Sequence, residues 1–138
     1  MALRCFDGNG VEQDNESGAM YLKRAAMLKN PDALYMYGKR LVAEGADGVR
    51  YIRNAANLNH IEAIFYMSDY AHNAGNYKDA FKYAKHLSLL GYHEGTKRVA
   101  DYYLEGKWVK RDKKTAKDLY RDAAAAGNKE AQSILMGL

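Results

Sequence analysis

The stretch "YRDAAAAGNKEA", residues 120–131, has two earlier counterparts, "LKRAAMLKNPDA" at 22–33 and "IRNAANLNHIEA" at 52–63. Aligned on their alanine pairs, Ala25-Ala26, Ala55-Ala56 and Ala123-Ala124 are equivalent, and Leu87-Ser88 takes the same place in a degenerate copy. Just beyond each pair come Lys29, Asn59, Gly91 and Gly127, where a helix is expected to end. Those stops are 30, 32 and 36 residues apart. No paired carboxylates, nucleophile or ligand cluster sits in these words. The repetition itself carries the information.

Each copy reads as two helices. The first opens on a small residue (Ala33, Ala63, Gly95, Ala131) and continues to an apolar-small pair: Tyr37-Gly38, Met67-Ser68, Val99-Ala100, Leu135-Met136. A turn near Gly45, Gly75 or Gly106 ends it. The second helix carries Ala116, Leu119, Tyr120, Ala123 and Ala124 in one copy, and Ala80, Tyr83, Ala84 and Leu87 in another. That i, i+3, i+4, i+7 stripe is amphipathic, and its small residues let paired backbones approach closely. A helix pair of this size cannot bury its own apolar face, so copies must stack.

"GNGVEQDNESGAMYLKRAA" (Gly8–Ala26) lies without gaps on "GKWVKRDKKTAKDLYRDAA" (Gly106–Ala124). The alignment makes Asp14 and Asp112 N-caps of second helices. It also puts Gly18 where the later copy has Ala116, a loss of roughly 1 kcal/mol in helix stability.

Small-x-x-x-apolar-small, then G-x-x-V-x-x-D, then A-x-x-L-Y-x-x-A-A-x-x-G, resembles the Sel-1-like repeat, a relative of the tetratricopeptide repeat. Residues 93–128 are similar to that unit at its length of about 36. Residues 2–26 and 93–131 match most closely, and the middle copies lack the V-x-x-D segment, which predicts shorter turns there. The resemblance implies an all-α, right-handed α/α superhelical solenoid of three to four helix-turn-helix repeats. One domain over 1–138 is expected, in units near 1–29, 30–59, 60–92 and 93–128, with a partial unit at 129–138. The incomplete end units leave two readings, atypical caps or a segment of a longer array, and the second is preferred.

The resemblance further implies an adaptor or scaffold that binds proteins, with no catalysis by the repeat. Some members resemble antibiotic-binding enzymes tied by a cysteine pair in each repeat. Cys5 is the only cysteine here, so that activity is not carried over. In such stacks the first helices line the concave side. Counting from the apolar-small pairs gives a groove of Tyr35, Met36, Lys39 and Val42, then Phe65, Tyr66, Asp69, His72 and Asn73, then Lys97, Arg98, Asp101 and Leu104. It is aromatic at one end and basic at the other, suiting a peptide with apolar anchors and an acidic end. Core packing for Tyr35, Phe65 and Tyr66, and solvation for Lys97 and Arg98, are the competing readings.

Twelve tyrosines supply most of the aromatic content, rings that pack while their hydroxyls stay wet. Of 21 Lys/Arg and 17 Asp/Glu, seven cations and three aspartates fall between Lys107 and Asp122, leaving fourteen of each elsewhere. Within that patch Lys110, Lys114, Lys117 and Arg121 mark a basic surface, with Asp118 and Asp122 beside it. A solvated face needs no partner; an acidic protein, RNA or anionic lipid are the alternatives. A single patch argues against a dedicated nucleic-acid binder, and RNA binding through Lys107–Arg121 is the second functional reading. Trp108 stands where valine or glycine is usual, as a plug over the helix junction or as an exposed anchor.

No cofactor is expected. His60, His72, His86 and His93 have no ligand spacing, and "DGNGVEQDNE" (Asp7–Glu16) puts Glu12 where a calcium loop needs glycine. No apolar run approaches the roughly 20 residues that span a bilayer, and the N-terminal residues do not read as a secretory signal. A cytoplasmic setting is the expectation.

Overall fold

The computed structural model describes residues 20, 23–24 and 30–138. Most of the expected first unit, with Cys5, the Asp7–Glu16 stretch, Asp14 and Gly18, lies outside the described residues. Seven helices are delimited among those described: α1 (Pro31–Ala43), α2 (Val49–Asn57), α3 (Ile61–Asn73), α4 (Tyr77–Leu89), α5 (His93–Glu105), α6 (Lys113–Ala125) and α7 (Lys129–Gly137). No described residue is in a strand.

The repeated words set the helix ends. Asn59, Gly91 and Gly127 all have positive φ (66°, 93° and 104°), as do Gly45, Gly75 and Gly106 at the intervening turns. After Asn59, the His60 N–H bonds Ala55 O, and the Asn59 N–H bonds Ala56 O. The same two bonds recur at Gly91-Tyr92 and Gly127-Asn128, a Schellman closure that satisfies the last carbonyls. The residue directly after the stop position caps the following helix with its side chain at positions 30, 60 and 128, whereas Tyr92 makes no such bond. Asn30 and Asn128 accept from the Ala33 and Ala131 N–H at 3.2 and 2.8 Å. His60 replaces asparagine in the middle copy, its Nδ1 accepting from Ala63 N at 3.2 Å. Nε2 of that ring therefore holds the proton and faces Asp32 Oδ1 at 2.8 Å.

Turn length follows sequence. Between α3 and α4 there are only three residues, whereas the V-x-x-D segment separates α5 from α6 by seven. Asp112 ends that longer link by accepting from Thr115 N (3.1 Å) and Thr115 Oγ1 (2.7 Å). These bonds hold its carboxyl below the usual carboxylate range.

The chain forms two compact units, Met1–Ala63 and Ile64–Leu138. In the first, α1 and α2 form a hairpin whose backbones nearly touch. A Cβ on Gly48 would sit 2.0 Å from Gly38 O, and one on Gly38 would sit 2.6 Å from Ile52 Cγ1. Leu34, Ile52, Ala55 and Ala56 are buried there.

In the second unit the helices lie in two layers. The first-helix layer joins α3, α5 and α7 through Arg98–Ser68, His72–Tyr102 and Lys97–Glu130. Behind it, Phe81 of α4 and Leu119 of α6 pack on Ala84, Val99 and Tyr102. A second cluster joins Ala100, Ala116, Tyr120, Ala123 and Ala131. The predicted stripe residues Ala80, Tyr83, Ala84 and Leu87 are all buried. In α7 the pattern departs: Met136, equivalent to buried Ser68 and Ala100, is 90% exposed.

Candidate functional site

In the second unit, Ser68, Asp69 and His72 of α3 and Lys97, Arg98 and Asp101 of α5 open onto one cavity of about 300 Å³. Five of these six were named from sequence; Ser68 was read only as a small packing residue. Helix register explains the convergence. Arg98 and Ser68, like Tyr102 and His72, are 30 residues apart, two short of the 32-residue step between these copies, so facing sides of neighbouring first helices meet.

Arg98 organises the site. Nη1 donates to Ser68 Oγ at 3.1 Å and pairs with Asp69 Oδ1 at 2.8 Å, while Nε reaches Glu94 Oε1 at 3.5 Å. Its guanidinium also lies 5.3 Å from the Phe65 ring centroid, within cation–π range. Lys97 Nζ sits between Asp101 Oδ2 (3.0 Å) and Glu130 Oε2 (2.9 Å). Burial disfavours its charged form, but the bonds to Glu130 and Asp101 outweigh that and hold its pKa above the ordinary lysine value. The same contact draws the Glu130 carboxyl down.

The basic end expected of the groove is thus paired within the chain. The sequence reasoning missed Glu94, Glu130 and Tyr102. Glu94 precedes Arg98 by four residues, a spacing that could have flagged it; nothing local points to Glu130. His72 Nδ1 and Tyr102 OH share a hydrogen bond of 2.9 Å, and burial pushes the Tyr102 hydroxyl up to about 12.

The remaining predicted residues lie elsewhere. Phe65 is half-buried with its ring edge-on to Tyr92, and Tyr66, also half-buried, stacks on Tyr70 at 6.4 Å. Asn73 is exposed at the end of α3. Leu104 packs into the cluster around Tyr120, so its burial has a structural cause. In the first unit, Tyr35 is half-buried against His60 (4.7 Å), with Lys39 Nζ 5.3 Å from its centroid. Met36, Lys39 and Val42 are exposed.

Of the basic-patch residues, Lys110, Lys114 and Arg121 are exposed and Lys117 is half-buried. Arg121 pairs with Asp118 at 3.4 Å. Trp108 is 57% exposed, and Lys78 Nζ lies 5.7 Å from its ring. Among the described residues, no group of three or more His, Cys, Asp or Glu side chains could hold a metal ion, and no helix is long and apolar enough to cross a membrane.

Helix pairs that share one closure and one buried stripe define an all-α helical-repeat protein. Its fold is that of a Sel-1-like helical repeat. The Sel1 repeat protein from Oxalobacter formigenes, known from its crystal structure, is 25% identical with a TM-score of 0.70, over 86% of this chain and 97% of that one. No family model and no curated protein matches the chain. The expected Sel-1-like, all-α repeat fold is borne out.

Proposed function

We propose that the chain binds another protein through the first-helix layer of its second unit, at the cavity between α3 and α5. The observation that carries this reading is the convergence of Asp69, His72, Lys97, Arg98 and Asp101 on that one cavity. Beside the cavity, half-buried Phe65 lies 5.3 Å from the Arg98 guanidinium, and half-buried Tyr66 follows it on α3. A peptide segment with apolar anchors and an acidic group suits it. The Asp69 and Glu130 side chains are 61% and 69% exposed. Their cations, Arg98 and Lys97, are only 22% and 15% exposed, so a partner carboxylate that displaces either acid takes over the same close pairing.

Peptides selected from a displayed library on the full chain, then measured by calorimetry, test the reading. Phe65→Ala or Tyr66→Ala is expected to weaken binding by about 1–2 kcal/mol while moving the thermal midpoint little. Unchanged affinity with a much lower midpoint assigns both rings to the core. Charge reversal at Lys97 and Arg98 should abolish selection of acidic sequences. Binding that instead falls log-linearly and steeply with salt, and prefers RNA, overturns the protein-partner reading.

A further inference from the structure

The opposite layer of the same unit carries a surface that the cavity does not use. On α4, Lys78, Lys82 and Lys85 are all exposed. Their i, i+4, i+7 spacing lines them along one helix face, and none is in an ion pair among the described residues. Leu89 continues that line one turn further and is 78% exposed. Lys78 Nζ at the other end lies over Trp108. Two exposed apolar side chains therefore bracket a row of cations, with about 17 Å between the Cα atoms of Lys78 and Leu89 by helical rise. Exposed Lys110 extends the positive charge past Trp108.

Trp108 is the chain's only tryptophan, and its φ is +68°. Residues other than glycine cost of order 1 kcal/mol in that conformation, so the ring is displayed against the preference of the backbone. Folding alone favours glycine at this position.

We infer that the outer face of α4, from Trp108 to Leu89, docks on an anionic phospholipid bilayer. Tryptophan settles at the level of the headgroups, and leucine gains by entering the acyl boundary. Each lysine near such a surface is attracted by the negative potential, and the attraction is screened by salt. An RNA would satisfy the lysines but gives no reason for a leucine held open at the far end of the row, and an acidic protein is separated from a bilayer by the test below. This surface goes beyond the peptide-binding reading and does not depend on it.

The test uses the full chain with vesicles of phosphatidylcholine, with and without phosphatidylserine. Sedimentation reports binding, and the emission of the single tryptophan reports where Trp108 goes. Binding and a blue shift are expected only with phosphatidylserine, both weakening as salt rises. Lys78→Gln with Lys82→Gln should lower partitioning roughly 30-fold. Trp108→Gly removes the ring while relieving the backbone, so it should keep or raise the thermal midpoint and still lose partitioning. Equal behaviour on both vesicle types overturns the inference, as does an emission shift with polyuridylate or polyglutamate but not with vesicles. Phe65→Ala should leave vesicle binding unchanged, and the lysine variants should leave peptide binding unchanged, so the two readings fail separately.

Discussion

The Tyr120 hydroxyl, on a ring with no exposed surface, donates to Asp101 Oδ1, and the other oxygen of that carboxylate holds Lys97 Nζ at 3.0 Å. A core residue of α6 thereby fixes a cavity residue of α5, which fixes a second. Burial, followed by the bond to Asp101, pushes the Tyr120 hydroxyl well above the ordinary phenol range.

Tyr120→Phe should keep the ring's packing and lose only the bond, destabilising by about 1–2 kcal/mol. Tyr120→Ala opens a cavity and should cost about 3–5 kcal/mol. Denaturant titration measures both. Tyr120→Phe should also weaken binding at the α3–α5 cavity, because Asp101 loses one of its two anchors.

Gly95→Ala should destabilise even though alanine is the better helix former. The new Cβ would lie 2.5 Å from Leu87 Cβ and 2.6 Å from Ser88 N, and the second contact is backbone that has little room to give. Overpacking of this kind costs about 1–3 kcal/mol, more than the roughly 1 kcal/mol of helix propensity gained. A thermal midpoint above that of the parent would show that α4 and α5 separate freely.

Asn59→Gly and Asn59→Ala should part company. At φ of 66° glycine is at least as comfortable as asparagine, so the first variant should match or exceed the parent's stability. Alanine has neither glycine's freedom nor asparagine's local hydrogen bonding, and should lose about 1 kcal/mol. Equal stability for both would mean that the α2 end is not held in this turn.

Alkaline titration should reveal Tyr102. Its folded pKa, about 12, lies above the ordinary value of 10.0, so the folded state keeps a proton that the unfolded state gives up. The associated stability is present below pH 10.0, and is lost as the pH rises toward about 12. Tyrosinate absorbance should rise in at least two phases, the late one delayed in the folded chain and advanced in denaturant. Tyr102→Phe should remove part of the late phase.

How much of this was legible in the sequence varies with the distance over which each feature is decided. The stops at Asn59, Gly91 and Gly127, and the turns at Gly45, Gly75 and Gly106, were readable because each left-handed residue closes a helix through bonds to carbonyls only a few residues back. Asp112 as a cap was equally local. His60 in the same capping role was not, since its Nδ1 substitutes for an asparagine oxygen only in one ring orientation.

The cavity was half legible. A repeat period places equivalent faces side by side, so Asp69 and Arg98 could be assigned to one surface from spacing alone. Neutralisation of that surface could not, because the carboxylate that claims Lys97 is Glu130, 33 positions along the chain on another helix. The packing of Leu104 beside Tyr120 was not legible for a related reason: a residue on a helix flank turns to the groove or to the core according to the neighbour it meets.

The sequence by itself determined where each helix begins and ends and which stripe it buries, since caps, left-handed turns and amphipathic spacing act within a few residues. Only the tertiary structure decided which charges are already satisfied, that Ser68 is a hydrogen-bond acceptor, and that Trp108 stands open beside Lys78. Those outcomes depend on side chains from different helices meeting through space, and no spacing along a single chain fixes the ångströms between them.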